Sequence, residues 1–315
     1  MTLPRLLLIG LIGLLCLAVV TAAVWWWRLP PPPLDHTTAD ALYTAPLPPP
    51  AGPLAVYHLG HSLVGRDMPA MLEQLAPEGH QHSSQLGWGA ALQFHWRHPS
   101  PPVNGFDHAN DHLRFRPAPD ALAAGDYDAV VLTEAVELRD SIRWMNSPEY
   151  LARWTDRARA GRPDVRVYFY ETWHTLDTPD GWLERIDNDL PELWEGVVLF
   201  GALARDPERR PIHLIPGGQV MAALTRRIEV GDGAPGLMRR EDLFSDDIHF
   251  NDQGAYLMAL THYAVLYGQS PAGLPYELLR ADGTPADLPS PEAARLMQEV
   301  VWEVVTALPR TGVAP

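Results

Sequence analysis

Five short strand-like runs, four of them apolar, separated by stretches with helical spacing, do most to limit what this chain can fold into. They span residues 54–59, 81–86, 127–133, 165–170 and 211–216. The third, Tyr-Asp-Ala-Val-Val-Leu-Thr after a Gly-Asp turn, is the clearest: β-branched side chains pack well in a strand buried on both faces. Helical segments lie between and after the runs. Ser147-Pro148-Glu149 places a cap before a first-turn proline, starting a helix that reaches about residue 160. Asn251, a favoured N-cap, and Asp252 precede an apolar helix over 255–267. Ser290-Pro291-Glu292 opens a last helix with Leu296, Val300, Val301, Val304 and Leu308 on one face. Strands alternating with helices predict an α/β fold, a parallel sheet covered on both sides. Ligands of such sheets bind beyond the carboxyl ends of the strands. Ser62 falls there after the first strand, Gly87 after the second, Glu134 after the third, and Trp173 and His174 after the fourth.

The chain divides into three parts. Residues 6–27 hold 22 residues without a charge or a proline and end in Trp25, Trp26 and Trp27. That length spans a bilayer as a helix, and tryptophans favour the membrane interface. The competing reading is a signal peptide cleaved after Ala23, although such apolar cores are usually about 7–15 residues. Bulky Leu15 before Cys16 argues against a lipoprotein site. Residues 1–28 are therefore expected to be a transmembrane anchor or signal segment, with the domain outside the inner membrane, facing the periplasm or cell exterior. Residues 29–53 contain nine prolines and read as an extended polyproline linker. The folded domain is expected over 54–315.

Composition removes several functions. The net charge of −15 argues against a nucleic-acid partner. All 24 basic residues are arginine, so lysine Schiff-base chemistry and a Walker-A phosphate loop are excluded. Cys16 is the single cysteine, which leaves no intrachain disulfide and no zinc ribbon.

The chemistry is concentrated in two places. Ser245 to Gly254 reads S-D-D-I-H-F-N-D-Q-G, with Asp246 three residues before His249. A carboxylate beside an imidazole fixes its tautomer and stabilises the imidazolium formed when it takes a proton. Such a pair needs a nucleophile, and Ser62 in Leu59-Gly60-His61-Ser62-Leu63 is the candidate. Serine is also a common helix N-cap, the structural alternative. Ser62 does not sit in a Gly-x-Ser-x-Gly elbow, which disfavours the α/β-hydrolase fold.

Together these blocks resemble the SGNH/GDSL hydrolases over roughly residues 54–270. Gly60-His61-Ser62-Leu63 is similar to the family's Gly-Asp-Ser-Leu block, with His61 in place of the acidic residue. Asp246-Asp247-Ile248-His249, with Asn251 and Gly254 after it, is similar to the Asp-x-x-His block. The resemblance implies a three-layer α/β/α domain around a five-stranded parallel sheet of flavodoxin-like type. It implies a serine esterase with Ser62 as nucleophile, His249 as base and Asp246 as its orienting partner. The backbone N–H groups of Ser62 and Gly87 would hold the oxyanion; Gly89 is the alternative to Gly87. The family's third block, Gly-x-Asn-Asp, is absent: Thr133-Glu134-Ala135 stands there, and an ionised glutamate can only accept hydrogen bonds. Asn104 and Asn110 are alternative donors. The implied substrates are acetyl or similar esters on envelope carbohydrate. Acyl transfer to polysaccharide with the same triad, and a non-catalytic carbohydrate-binding or assembly protein, are the other readings.

The segment 90–124 is rich in histidine and tryptophan. His95 with His98, or His80 with His82, are partial metal sets, but no recognised ligand spacing occurs, and neither metal nor cofactor is expected. A substrate-binding rim is the preferred reading, extended by Glu134, Trp173 and His174, with Trp173 equally a core candidate. The acidic stretch 177–195 reads as a solvated helix pair rather than a lid.

Overall fold

The computed structural model describes residues 30–98 and 102–314. The five runs form strands β1 (Ala55–Gly60), β2 (Gln81–Leu86), β3 (Ala129–Leu132), β4 (Arg166–Glu171) and β5 (His213–Pro216). All neighbours pair in parallel, in the order β2-β1-β3-β4-β5. The α/β expectation therefore holds, with one five-stranded parallel sheet.

Side-chain alternation assigns the two faces. Val56, Val131, Tyr168, Tyr170 and Ile215 point into one core with the helices Asp67–Leu75, Gly217–Arg227, Asp252–Tyr267 and Pro291–Ala307. Tyr57, Leu59, Val130, Val167, Phe169 and Leu214 point into the other, against Ala118–Ala124 and Ser147–Gly161. Both faces are covered, so β1, β3, β4 and β5 carry apolar runs, whereas β2, at the edge of the sheet, reads Gln-His-Ser-Ser-Gln-Leu. The strand order reverses between β1 and β3, which opens a crevice at the carboxyl ends of those strands.

Several expectations need correction. The compact unit begins at Pro33, not at residue 54. The proline-rich segment from there on lies against the fold: Leu34 N–H donates to Phe200 O, the buried Tyr43 hydroxyl donates to Ile212 O at 2.7 Å, and Leu47 N–H donates to Gly312 O. Proline supplies an extended backbone, and the apolar residues between the prolines dock it. The last helix is capped by Ser290, which accepts from Ala293 N–H. Its buried stripe is rotated from the expected one, with Ala293, Met297, Val300, Val301 and Val305 inside and Leu296 and Val304 at the margin. The acidic stretch forms the helix Trp182–Asp189, continued in π-type turns through Leu190–Leu199, and both Trp182 and Trp194 are buried. The segment read as membrane-spanning lies outside the described residues; among those described, no helix is long and apolar enough to cross a membrane.

Gly60 ends β1 where the chain turns toward Ser62. A Cβ there would lie 2.4 Å from the Thr133 methyl at the end of β3 and 3.0 Å from Val64. Gly60→Ala is expected to lower stability by about 1–3 kcal/mol, the usual range for overpacking. Urea unfolding of the variant checks it, and an unchanged midpoint would mean that the two loops part without cost.

Candidate active site

The turn after β1 carries His61 and Ser62. His61 is fully buried and spans two loops. Its Nδ1 accepts from Leu63 N–H at 3.3 Å, which leaves the proton on Nε2, donated to the Glu134 carbonyl at 2.9 Å. Burial pushes its pKa down to about 4 against the pull of that carbonyl, so it stays neutral. His61 thus ties the serine turn to the end of β3.

The second loop is fixed from below. The Trp173 indole N–H donates to Ile248 O at 2.9 Å, and Leu176 N–H donates to Asp247 O at 2.8 Å. Asn251 closes it as the N-cap of Asp252–Tyr267, accepting from Gln253 and Gly254 N–H and donating to Asp242 O.

These supports bring together residues 187 apart in sequence. His249 Nε2 is 2.8 Å from Ser62 Oγ, and His249 Nδ1 is 2.7 Å from Asp246 Oδ2. The other Asp246 oxygen accepts from the N–H groups of Ile248, at 2.9 Å, and His249, at 2.6 Å. Desolvation opposes its ionisation, but these backbone bonds and the imidazole outweigh it and hold its pKa at about 2. Because Asp246 and His249 are both close to half exposed, water screens their attraction. The backbone bonds, more than Coulomb energy, fix the carboxylate. The arrangement can pass a proton from a serine hydroxyl to an oriented imidazole.

Ser62 and His249 line a cleft of about 410 Å³ with Leu63, Trp88, Val136 and Ile248. The expected oxyanion donor needs correction. Gly87 N–H donates to Gly60 O at 3.1 Å, prolonging the β1–β2 ladder, and is not free. Gly89, in the left-handed region at φ +55°, lines the cleft. Among the described residues no acceptor meets the N–H of Ser62 or Gly89. Trp88, to which the sequence reading gave no role, is 56% exposed and forms one wall. Its only signal was the pair of glycines around it.

The three residues expected to touch substrate are buried and outside the cleft wall. One Glu134 oxygen accepts from Leu92 N–H, at 3.2 Å, and from its own neighbour Ala135, at 2.9 Å, so the buried carboxyl is held by backbone groups and does not line the cleft. Trp173 is the buttress just described. His174 lies 2.8 Å from Asp189, beside Glu137. Glu137, His174 and Asp189 are close enough together to suggest a metal cage. Arg185, 2.7 Å from both carboxylates, already supplies the cation. The other histidines disperse: His95 bridges Gly60 O and Gln85, His98 stacks on Phe106, His80 meets the Tyr267 hydroxyl, and His82 meets Glu73. Asn110 clamps both backbone groups of Leu86, and Asn104 is exposed, its carbonyl accepting from Trp88 N–H.

No protein-family model matches the sequence, and no curated protein does. A crystal structure of a DUF4886 family protein from Bacteroides uniformis ATCC 8492 is similar, with 16% identity and a TM-score of 0.53, over 80% of this chain and 94% of that one. At that identity the likeness shows a shared fold alone.

Burial pushes the Glu134 pKa from 4.5 up to about 7, although the N–H groups of Ala135 and Leu92 pull it down. The folded state then holds this proton more tightly than the unfolded chain. Its contribution to stability is full below about pH 4.5 and is lost as pH rises through 7. Glu134→Gln should remove that slope, worth up to about 3 kcal/mol. Glu171, pushed up to about 8 by burial, leaves a residual slope at higher pH in both proteins. Denaturant titrations from pH 4 to 8 check this; parallel curves for the two proteins would mean that Glu134 titrates in the fold as it does in the unfolded chain.

Proposed function

We propose that this protein is a serine esterase of SGNH type. The observation that carries the reading is the continuous hydrogen-bonded chain from Ser62 Oγ through His249 to Asp246, open to a cleft at the carboxyl edge of the sheet. In this reading Ser62 attacks the acyl carbonyl while His249 Nε2 takes its proton. His249 then protonates the leaving alcohol, and water, activated in the same way, releases the acyl group. Asp246 keeps the proton on Nδ1 and offsets the charge of the imidazolium. The N–H groups of Ser62 and Gly89 stabilise the oxyanion, in place of Ser62 and Gly87. No asparagine supplies a third donor, and Glu134 is taken up by the N–H groups of Leu92 and Ala135 outside the cleft lining. The apolar walls of Val136, Ile248 and Leu63 suit a short acyl group such as acetyl, and the exposed indole of Trp88 suits the face of a sugar ring. The apolar segment 6–27 supports export and anchoring at the inner membrane. Fractionation of cells with protease added to spheroplasts tests that part; a soluble mature chain starting near Val24 would replace the anchor with a cleaved leader.

A fluorophosphonate probe should label the full-length protein at Ser62. Ser62→Ala and His249→Ala should each lower turnover of p-nitrophenyl acetate on the order of 10⁴-fold or more, to nearly the same residual rate. Asp246→Ala should lose about one to two orders of magnitude less. A folded Ser62→Ala protein as active as the wild type sinks the reading.

A further inference from the structure

The space around Ser62 continues beyond the serine. Ser62 also lines a recess of about 200 Å³ whose walls include Arg66, Gly87, Trp88 and His108. Arg66 and His108 are shared with a groove of about 690 Å³ that runs on to Arg114 and Arg280. Trp88 stands between the serine cleft and this recess and lines both. Its ring is seated on Gly105, where a Cβ would lie 2.1 Å from the indole, and meets the edge of His108 at 5.5 Å.

The cations of this region differ in what they face. Arg114 forms a two-oxygen pair with Glu73, and Arg280 is held by Asp252 with Asp287 nearby. The acidic groups Asp67, next to Arg66 in the chain, and Asp282 also line the groove; Asp67 accepts from Ala281 N–H and Asp282 from Thr284 N–H. Arg66 meets no carboxylate among the described residues. Its Nε donates to Ala109 O at 3.2 Å and its Nη2 to His108 O. Both are neutral acceptors, and they orient the guanidinium without neutralising it. Nη1 has no partner among the described residues. No acidic side chain lines the recess itself. In a chain of net charge −15, an oriented and uncompensated guanidinium beside the candidate nucleophile is a local reversal of sign, and a cleft concentrates its field. A guanidinium in this position prefers an oxyanion, carboxylate or phosphate.

We propose that the ester substrate carries an anionic group, a carboxylate or a phosphate, which Arg66 binds in the recess next to Ser62. The inference rests on the esterase reading and adds a substrate class to it. The competing role for Arg66 is purely structural, pinning the Phe106–Asn110 helix to the serine turn.

The full-length protein is assayed on three acetyl esters: neutral phenyl acetate, 4-acetoxybenzoate and 4-acetoxyphenyl phosphate, with fluorophosphonate labelling alongside. The wild type should prefer one of the anionic esters in kcat/KM, and which one identifies the group. Arg66→Gln should raise KM for that ester by on the order of tenfold to a hundredfold, the effect of losing a charged hydrogen bond. The loss should fall mainly on KM and be about that factor larger for the preferred anionic ester than for phenyl acetate. Arg66→Lys should recover part of the loss. Labelling at Ser62 with a preference for phenyl acetate, or with an equal loss on all three esters in Arg66→Gln, overturns the anion site and leaves the esterase intact. No labelling and no turnover of any ester removes the esterase reading and the anion site with it.

Discussion

Parallel pairing is the constraint on which this structure depends. Strands that all run the same way must start at one edge of the sheet and end at the other, and covering both faces leaves only the edges open. Each chain segment that leaves β1, β2, β3 or β4 therefore emerges beside the others. Ser62, Trp88 and Gly89, Val136, and the buttressing Trp173 share one neighbourhood for that reason, although they span more than a third of the chain. Asp246 and His249 do not follow a strand directly. They reach the same edge because their loop is held by the segment after β4 and is closed by the cap of a buried helix.

The site is supported chiefly by neutral groups. His61 and His95 are kept uncharged by burial and act as two-ended clamps, one to the end of β3 and one to the end of β1. An aspartate in the place of His61 would have no proton to give the Glu134 carbonyl at neutral pH. Behind the loops, Arg185 pairs with both Glu137 and Asp189, and Asp189 also meets His174.

The parts of this design that were legible in the sequence depend on neighbours along the chain. A strand buried on both faces shows as an apolar run, and Asp246, His249 and Asn251 lie within one short segment. What was illegible depends on partners far away. Only the ladder between β1 and β2 decides that the Gly87 N–H is consumed and leaves Gly89 free. Only the docking of Leu92 turns the Glu134 carboxyl inward, and only the position of Ile248 makes Trp173 a support instead of a rim. The same holds for the last helix, where residues of similar hydropathy flank the stripe and the surrounding helices choose Met297 over Leu296. Proline content misled at 33–53 because it reports backbone extension and carries no information on whether an extended segment has a surface to lie on.

That docked segment has a mechanical consequence. Whatever holds the protein by its amino-terminal side pulls first on the contacts of Leu34 and Tyr43, and the Tyr43 hydroxyl is anchored at Ile212, the residue before β5. β5 is the outer strand, three places from β1 in the sheet order, a separation of roughly 14 Å at ordinary strand spacing. Tension on such a tether would enter through the flank of the sheet opposite β2. The turn that carries Ser62 would feel it only after the ends of β4 and β3.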